Sequence, residues 1–325
     1  MNKEPVKIFK RVLDVLPLFG ILLLFYVIYR LDRQQLFSIL KKIDLRFVAM
    51  SFAIFSLNLA MRAFRWFRVL SIAGISAKLG DVITYYLSSM FYGSVTFGRL
   101  GELYRMRLFQ NIDTSSYEKD FAFFISAVDR VIDVLFMALL SLVLVMLLPG
   151  HNGWKISLAS ILGPVFIISV TLIFSSKALY QKYSPLLAEK RGVIARTILR
   201  LLSLLRQFSL VGRMTDMVEI LMYTALSWIL YILSCYFIVL GLNLDLPWSL
   251  LALALFMAIL VSLLPVTFQG FGTREIVFIS VFSIAGISKE GAVSVSIAFV
   301  LTMLMTSLVT GSAGIISEKF HVSRR

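Results

Sequence analysis

The chain has 325 residues, 59% of them apolar and 15% charged, with a mean hydropathy of +0.89. An ordinary soluble domain is roughly 45 to 50% apolar, so the composition excludes a water-soluble globule and predicts an all-α integral membrane protein. The net charge of +14 raises nucleic acid as a partner, and the placement of the charges decides against it.

Apolar runs of about 20 residues read as spanning helices. The first, Leu13 to Leu31, follows Lys3, Lys7, Lys10 and Arg11. This resembles a signal peptide, but no small-residue cleavage site follows Leu31, so the segment reads as a retained span. Phe47 to Phe64 is the second, and Val82 to Phe97 is interrupted. Full runs return at Phe121 to Leu148, Ile156 to Phe174, Met217 to Leu240 and Ala292 to Ile316, with a second interrupted run at Leu250 to Leu264. The expected fold is six full spanning helices plus two re-entrant broken-helix hairpins.

The basic residues cluster in the polar loop Ser175 to Asp216, which carries Lys177, Lys182, Lys190, Arg191, Arg196, Arg200, Arg206 and Arg213 against only Glu189 and Asp216. Within it, Ile194, Ile198, Leu201, Leu205 and Phe208 share one helical face with arginines around them. That is the pattern of a helix lying among anionic lipid headgroups, and no nucleic acid is expected. Cys235 is alone, and His151 and His321 are far apart, so neither disulfide, metal site nor cofactor is expected. The glycine stretches lack the spacing of an ATP-binding loop.

Val95-Thr96-Phe97 precedes Gly98-Arg99-Leu100-Gly101-Glu102, and Val266-Thr267-Phe268 precedes Gln269-Gly270-Phe271-Gly272-Thr273-Arg274-Glu275. The offset is 171 residues, and the neighbouring spans keep a similar one. Residues 1–150 and 151–325 therefore read as two related repeats. If each interrupted run enters the membrane, turns and leaves where it entered, 23 basic residues fall on one side and 8 on the other. The positive-inside rule then puts both termini in the cytoplasm. The hairpins enter from opposite faces, as an inverted repeat.

Backbone that leaves a helix at membrane depth needs partners in protein or in a water-filled cavity. Pro265 lacks an amide hydrogen, and Gly270 and Gly272 permit a tight turn; Gly98 and Gly101 are expected to turn the first hairpin. The helix that follows each turn would aim its positive end into the cavity, where an anion is welcome.

Arg62-Ala63-Phe64-Arg65-Trp66, Gly101-Glu102-Leu103-Tyr104-Arg105, Asp129-Arg130-Val131-Ile132-Asp133 and Gly270-Phe271-Gly272-Thr273-Arg274-Glu275 resemble, in that order, the membrane domain of the lysylphosphatidylglycerol synthase and flippase family. The resemblance covers nearly the whole chain. It implies a lipid flippase of inverted-repeat design, in the form that stands alone without the synthase domain.

The charged residues of the hairpins are the candidate substrate and gating groups. Glu102 and Glu275 can meet a cationic headgroup, or pair internally with Arg99 or Arg105 and with Arg274. Arg99, Arg105 and Arg274 can hold a lipid phosphate, while Arg105 and Arg107 equally fit cytoplasmic anchors. Asp129, Arg130 and Asp133 share a helix face and are either buried beside the first hairpin or an interfacial cap. Arg65 and Trp66 read as interface anchors, Trp154 and Trp248 suit the opposite belt, and Glu219, Gln269 and Trp228 are further cavity candidates. Gly311 to Gly314 offers small residues for contact between copies.

The leading expectation is a plasma-membrane transporter, not an enzyme. It would carry an amphipathic phospholipid, aminoacylated or polyprenyl-linked, through a polar groove between the hairpins. A non-catalytic partner of a lipid-modifying synthase or glycosyltransferase, and an intramembrane enzyme on a lipid-linked phosphate, are the alternatives.

Overall fold

The computed structural model describes residues 22–111, 119–147, 181–185, 214–262 and 270–322, and every regular element among them is a helix. Residues 22–29 are helical, and α1 (Arg33–Lys41) starts where the Asp32 carboxylate accepts from the Gln34 and Gln35 amides at 2.9 and 3.2 Å, an N-cap that satisfies two otherwise free donors. Then come α2 (Leu45–Ile72), α3 (Leu79–Val95), a 3-10 segment (Phe97–Arg107) and α4 (Lys119–Leu147). After the basic loop come α5 (Met214–Gly241), α6 (Trp248–Ser262), α7 (Thr273–Phe282) and α8 (Lys289–Val322). Of that loop only residues 181–185 lie within the described residues, and the expected span Ile156 to Phe174 lies outside them.

Among the described residues, Leu45–Ile72, Thr215–Gly241 and Lys289–Glu318 are long and apolar enough to cross a bilayer. Helices α6 and α7 have 15 and 10 residues. They rise only about 22 and 15 Å, short of a hydrocarbon core roughly 30 Å thick. Helix α2 extends past the expected end at Phe64 to Ile72, which brings Arg62, Arg65 and Arg68 inside the helix instead of onto a cytoplasmic loop. The extension is possible because their charges find carboxylate partners on α4 and α5.

Two chain reversals organise the packing. At Thr96 the backbone is extended (φ −110°, ψ 148°), and the 3-10 segment folds back along α3. Gly98 and Gly101 are expected to make this turn, yet the bend is at Thr96. Gly101 serves as the crossing point instead: a Cβ there would run into the Tyr92 carbonyl. In the second reversal, Gly270 and Gly272 take φ of +78° and +83°, which only glycine adopts cheaply. A Cβ on Gly270 would lie 3.1 Å from the Ser262 Cβ, so the two ends of segment 263–269 sit side by side. Pro265 and Gln269 lie outside the described residues.

Helices α2 and α5 pack antiparallel. Asp44 bonds to Gly241 at 2.9 Å, Ser51 to Ser234 at 3.0 Å, Asn58 to Ser227, and Arg65 to Thr224 at 3.1 Å. Helices α3 and α8 are likewise antiparallel, with Thr84 beside Ser317 and Phe91 beside Gly311. A Cβ on Gly311 or Gly314 would meet the Leu87 or Thr84 carbonyl, so these glycines are spent on close packing within the chain and not on contact between copies. Helix α6, apolar all round and buried from Leu250 to Phe256, packs on α4 and α7, as expected for a helix without a polar face.

Helices α2, α3 and α4 start at residues 45, 79 and 119, and α5, α6 and α8 at 214, 248 and 289, an offset of 169 or 170. Exchanging the halves maps the α2–α5 contact onto itself and the α3–α8 contact onto α6–α4, and all of these contacts exist. This is the contact pattern that a twofold relation between the halves produces. Asn58 and Ser227, 169 residues apart, meet where such an axis would cross the α2–α5 pair.

Candidate functional site

Beside the first hairpin, the two acids of α4 lie one helical turn apart and face α2. Arg65 bridges them, with N–H groups 2.7 Å from an Asp129 oxygen and 2.7 Å from an Asp133 oxygen, and donates to Thr224. Arg105, from the 3-10 segment, reaches Asp129 at 2.9 Å and the Ser126 carbonyl at 2.6 Å. Trp228 donates its indole N–H to Asp133 at 3.2 Å, and Arg62 stands 3.5 Å from the other Asp133 oxygen. Arg65, Arg105, Asp129 and Asp133 are all at most 3% exposed. Charges this deep persist only when paired and hydrogen-bonded.

The structure corrects the expected interface role of Arg65 and Trp66. Both are fully buried within the chain. Arg65 is held inside by two carboxylates, and the Trp66 ring lies under the Arg105 guanidinium at 5.5 Å, next to Tyr86. Arg105 is accordingly an interior ligand of Asp129 and not a cytoplasmic anchor. The α4 cluster is buried beside the first hairpin, because α4 already begins at Lys119, ten residues before Asp129.

The hairpin tips approach each other along α8. Arg274 donates to Ser296 at 2.9 Å, and Ser296 donates to Glu275 at 2.6 Å, whereas the first hairpin meets α8 at Gly311. Those two positions are 15 residues apart, about 22 Å along the helix. Between them lies a cavity of about 60 Å³ lined by Val300, Met303 and Ser307 of α8, Gly93, Ser94 and Glu102 of the first hairpin, Arg274 of the second, Arg130 and Asp133 of α4, Asn58 and Arg62 of α2, and Trp228 and Tyr231 of α5. That volume holds a few water molecules.

Glu102 pairs with Arg130, not with Arg99 or Arg105; the Arg99 side chain lies outside the described residues. Glu275 pairs with its neighbour Arg274 at 3.3 Å and accepts from the Gly272 amide at 2.6 Å. It thus caps its own helix, and the α7 N-terminus expected to welcome an external anion is already occupied by Glu275. Glu219 pairs with Arg68, remote from the cavity. Sequence reasoning missed Arg62, Asn58 and Thr224. The signal for Arg62 was its spacing of three from Arg65, which matches the turn-spaced acids of α4.

Over residues 13–311 the chain matches a protein-family model described as lysylphosphatidylglycerol synthase TM region. It is 25% identical over 306 residues to a UPF0104 membrane protein of Pyrococcus horikoshii, covering 87% of this chain and 90% of that protein. It is 23% identical over 276 residues to a UPF0104 membrane protein of Methanothermobacter thermautotrophicus, covering 77% of each.

Proposed function

The chain belongs to the family of lysylphosphatidylglycerol synthase TM regions, and from that premise we propose that it is a flippase-like transporter that carries a lipid headgroup between leaflets while the acyl chains stay in the bilayer. The observation that carries this reading is the polar cavity between two facing hairpin tips, each built from elements too short to cross. Non-helical backbone at membrane depth is tolerated where it lines such a cavity, and transporters of inverted-repeat design place their sites there.

In this reading the halves are inverted copies. The helices that correspond between them, α2 and α5, run antiparallel, so an axis relating them lies across both. With those helices upright, it lies in the membrane plane. The first hairpin enters from the cytoplasm and the second from outside, both termini are cytoplasmic, and the membrane is the plasma membrane. The cavity is too small for a whole headgroup, so the tips part in turn. The Glu102–Arg130 and Arg274–Glu275 pairs hold them together at rest. The driving force is the lipid gradient, or an ion or membrane potential acting on these charges. No bond is made or broken, so the protein is a transporter and not an enzyme.

Reconstitution into liposomes with headgroup-labelled lipids tests this. Purified protein should accelerate transbilayer movement, and Glu102→Gln, which frees Arg130 at the tip, should change the rate about tenfold or more, the scale of losing one buried charge partner. Protein-free rates from the wild type, or equal rates for wild type, Glu102→Gln and Glu275→Gln, would refute the reading.

A further inference from the structure

We propose that the cavity between the hairpin tips is an anion site in which Arg62 holds the phosphate of an anionic lipid headgroup, an assignment that rests on the transport reading above. The case begins with charge. Among the described residues around the cavity, Glu102–Arg130 and Arg274–Glu275 are matched pairs. The remaining cluster sets three guanidinium groups, on Arg62, Arg65 and Arg105, against two carboxylates, on Asp129 and Asp133. One positive charge is left over in a low-dielectric interior, a costly arrangement until an anion joins it.

Geometry places that surplus on Arg62. Arg65 and Arg105 make the short bonds to the two aspartates, at 2.7 to 2.9 Å. Arg62 makes only a 3.5 Å contact to Asp133, and its buried Nε–H has no partner. The residue is 8% exposed and lines the cavity. Its guanidinium lies over the Trp228 ring at 4.8 Å, which fixes the plane of the fork and leaves an edge for two oxygens of a phosphate.

Asn58 supplies a second group. It lies one turn before Arg62 on the same face of α2, is 1% exposed, and donates to the Ser227 carbonyl while its own Oδ1 has no partner. Beside the phosphate, that oxygen accepts from a hydroxyl of the headgroup. A donor fork and a free acceptor, four residues apart on one cavity wall, fit a hydroxyl-bearing phosphodiester such as phosphatidylglycerol. The surplus positive charge works against a lysylated headgroup, whose net charge is positive. The site therefore selects the anionic lipid over its aminoacylated derivative.

Lipid retention by the purified full chain, read by native mass spectrometry during titration with phosphatidylglycerol, lysylphosphatidylglycerol and phosphatidylcholine, tests the assignment. The wild type should retain phosphatidylglycerol about tenfold better than the lysylated lipid, and Arg62→Gln should remove that preference, as loss of a buried charge partner predicts. Asn58→Asp cancels the surplus charge with almost no change of volume. It should weaken phosphatidylglycerol to the same degree, and it carries the test if Arg62→Gln fails to fold. Equal retention of the two lipids by the wild type, or unchanged phosphatidylglycerol retention in folded variants, overturns the site. Displacement of the lipid by inorganic phosphate would assign the pocket to the free ion and overturn the lipid assignment. Arg62-dependent retention without lipid movement in liposomes would sink the transport reading and leave the site standing; movement untouched by Arg62→Gln would do the reverse.

Discussion

Arg65 neutralises two buried carboxylates at once, so its removal leaves both without their main cation. Arg65→Met should destabilise the protein by about 3 to 5 kcal/mol, the usual cost of orphaning a buried charge, measured as a lower unfolding temperature in detergent. Arg65→Lys should recover only part of that loss, because a single ammonium cannot form the two-pronged bridge. The acid half of this cluster was readable in the sequence, since Asp129 and Asp133 are one turn apart in an apolar run. The basic half was not. Hydropathy closes the second span at Phe64, and only the partner helix reveals that Arg65 belongs inside. Trp66 was misread for the same reason: an aromatic beside an arginine at the end of an apolar run has the composition of an interface belt whether or not another helix covers it.

At the scale of elements, the first hairpin depends on a backbone crossing and the second on backbone conformation. Gly101→Ala would drive a methyl into the Tyr92 carbonyl and should cost about 1 to 3 kcal/mol, the range for overpacking. Gly272→Ala meets no such crowding but must hold φ near +83°, at a cost of more than about 1 kcal/mol. Both are measurable by thermal unfolding, and a neutral Gly101→Ala would show that the crossing is looser than described. Both glycine motifs stood out in the sequence as breaks in apolar runs. Their division of labour did not, because glycine serves a turn and a close approach equally well. Only φ and the neighbouring atoms tell the two uses apart.

Across the whole molecule, the repeat left its mark in the sequence as an offset of 171 residues between two glycine motifs, close to the 169 or 170 between corresponding helices. The chemistry that breaks the symmetry was not legible in that offset. Positions corresponding to Arg62, Arg65, Asp129 and Asp133 hold Tyr231, Ser234, Phe299 and Met303. There Phe55, Tyr231 and Phe299 pack ring to ring, with centroids 5.3 to 6.3 Å apart. One side of the cavity is thus closed by ion pairs and the other by aromatic rings, which would give the two gates different sensitivities. Raised salt or Asp133→Asn should loosen the ionic side, and Phe299→Ala the aromatic one, each measurable as thiol accessibility of a cysteine placed at Ser94.

The account stands on the two hairpins entering from opposite faces. Arg107, at the outer end of the first, contacts Glu318 near the end of α8, whereas Lys289 begins α8 just after the second hairpin. Those two points of α8 are 29 residues apart, about 44 Å, the depth of a bilayer with its headgroups. Single cysteines at Arg107 and Lys289, in a Cys235→Ala background, can be treated with a membrane-impermeant maleimide on intact cells and on inverted vesicles. The account predicts that Lys289→Cys reacts from outside only and Arg107→Cys from the cytoplasmic side only; reaction of both from one common side would contradict it.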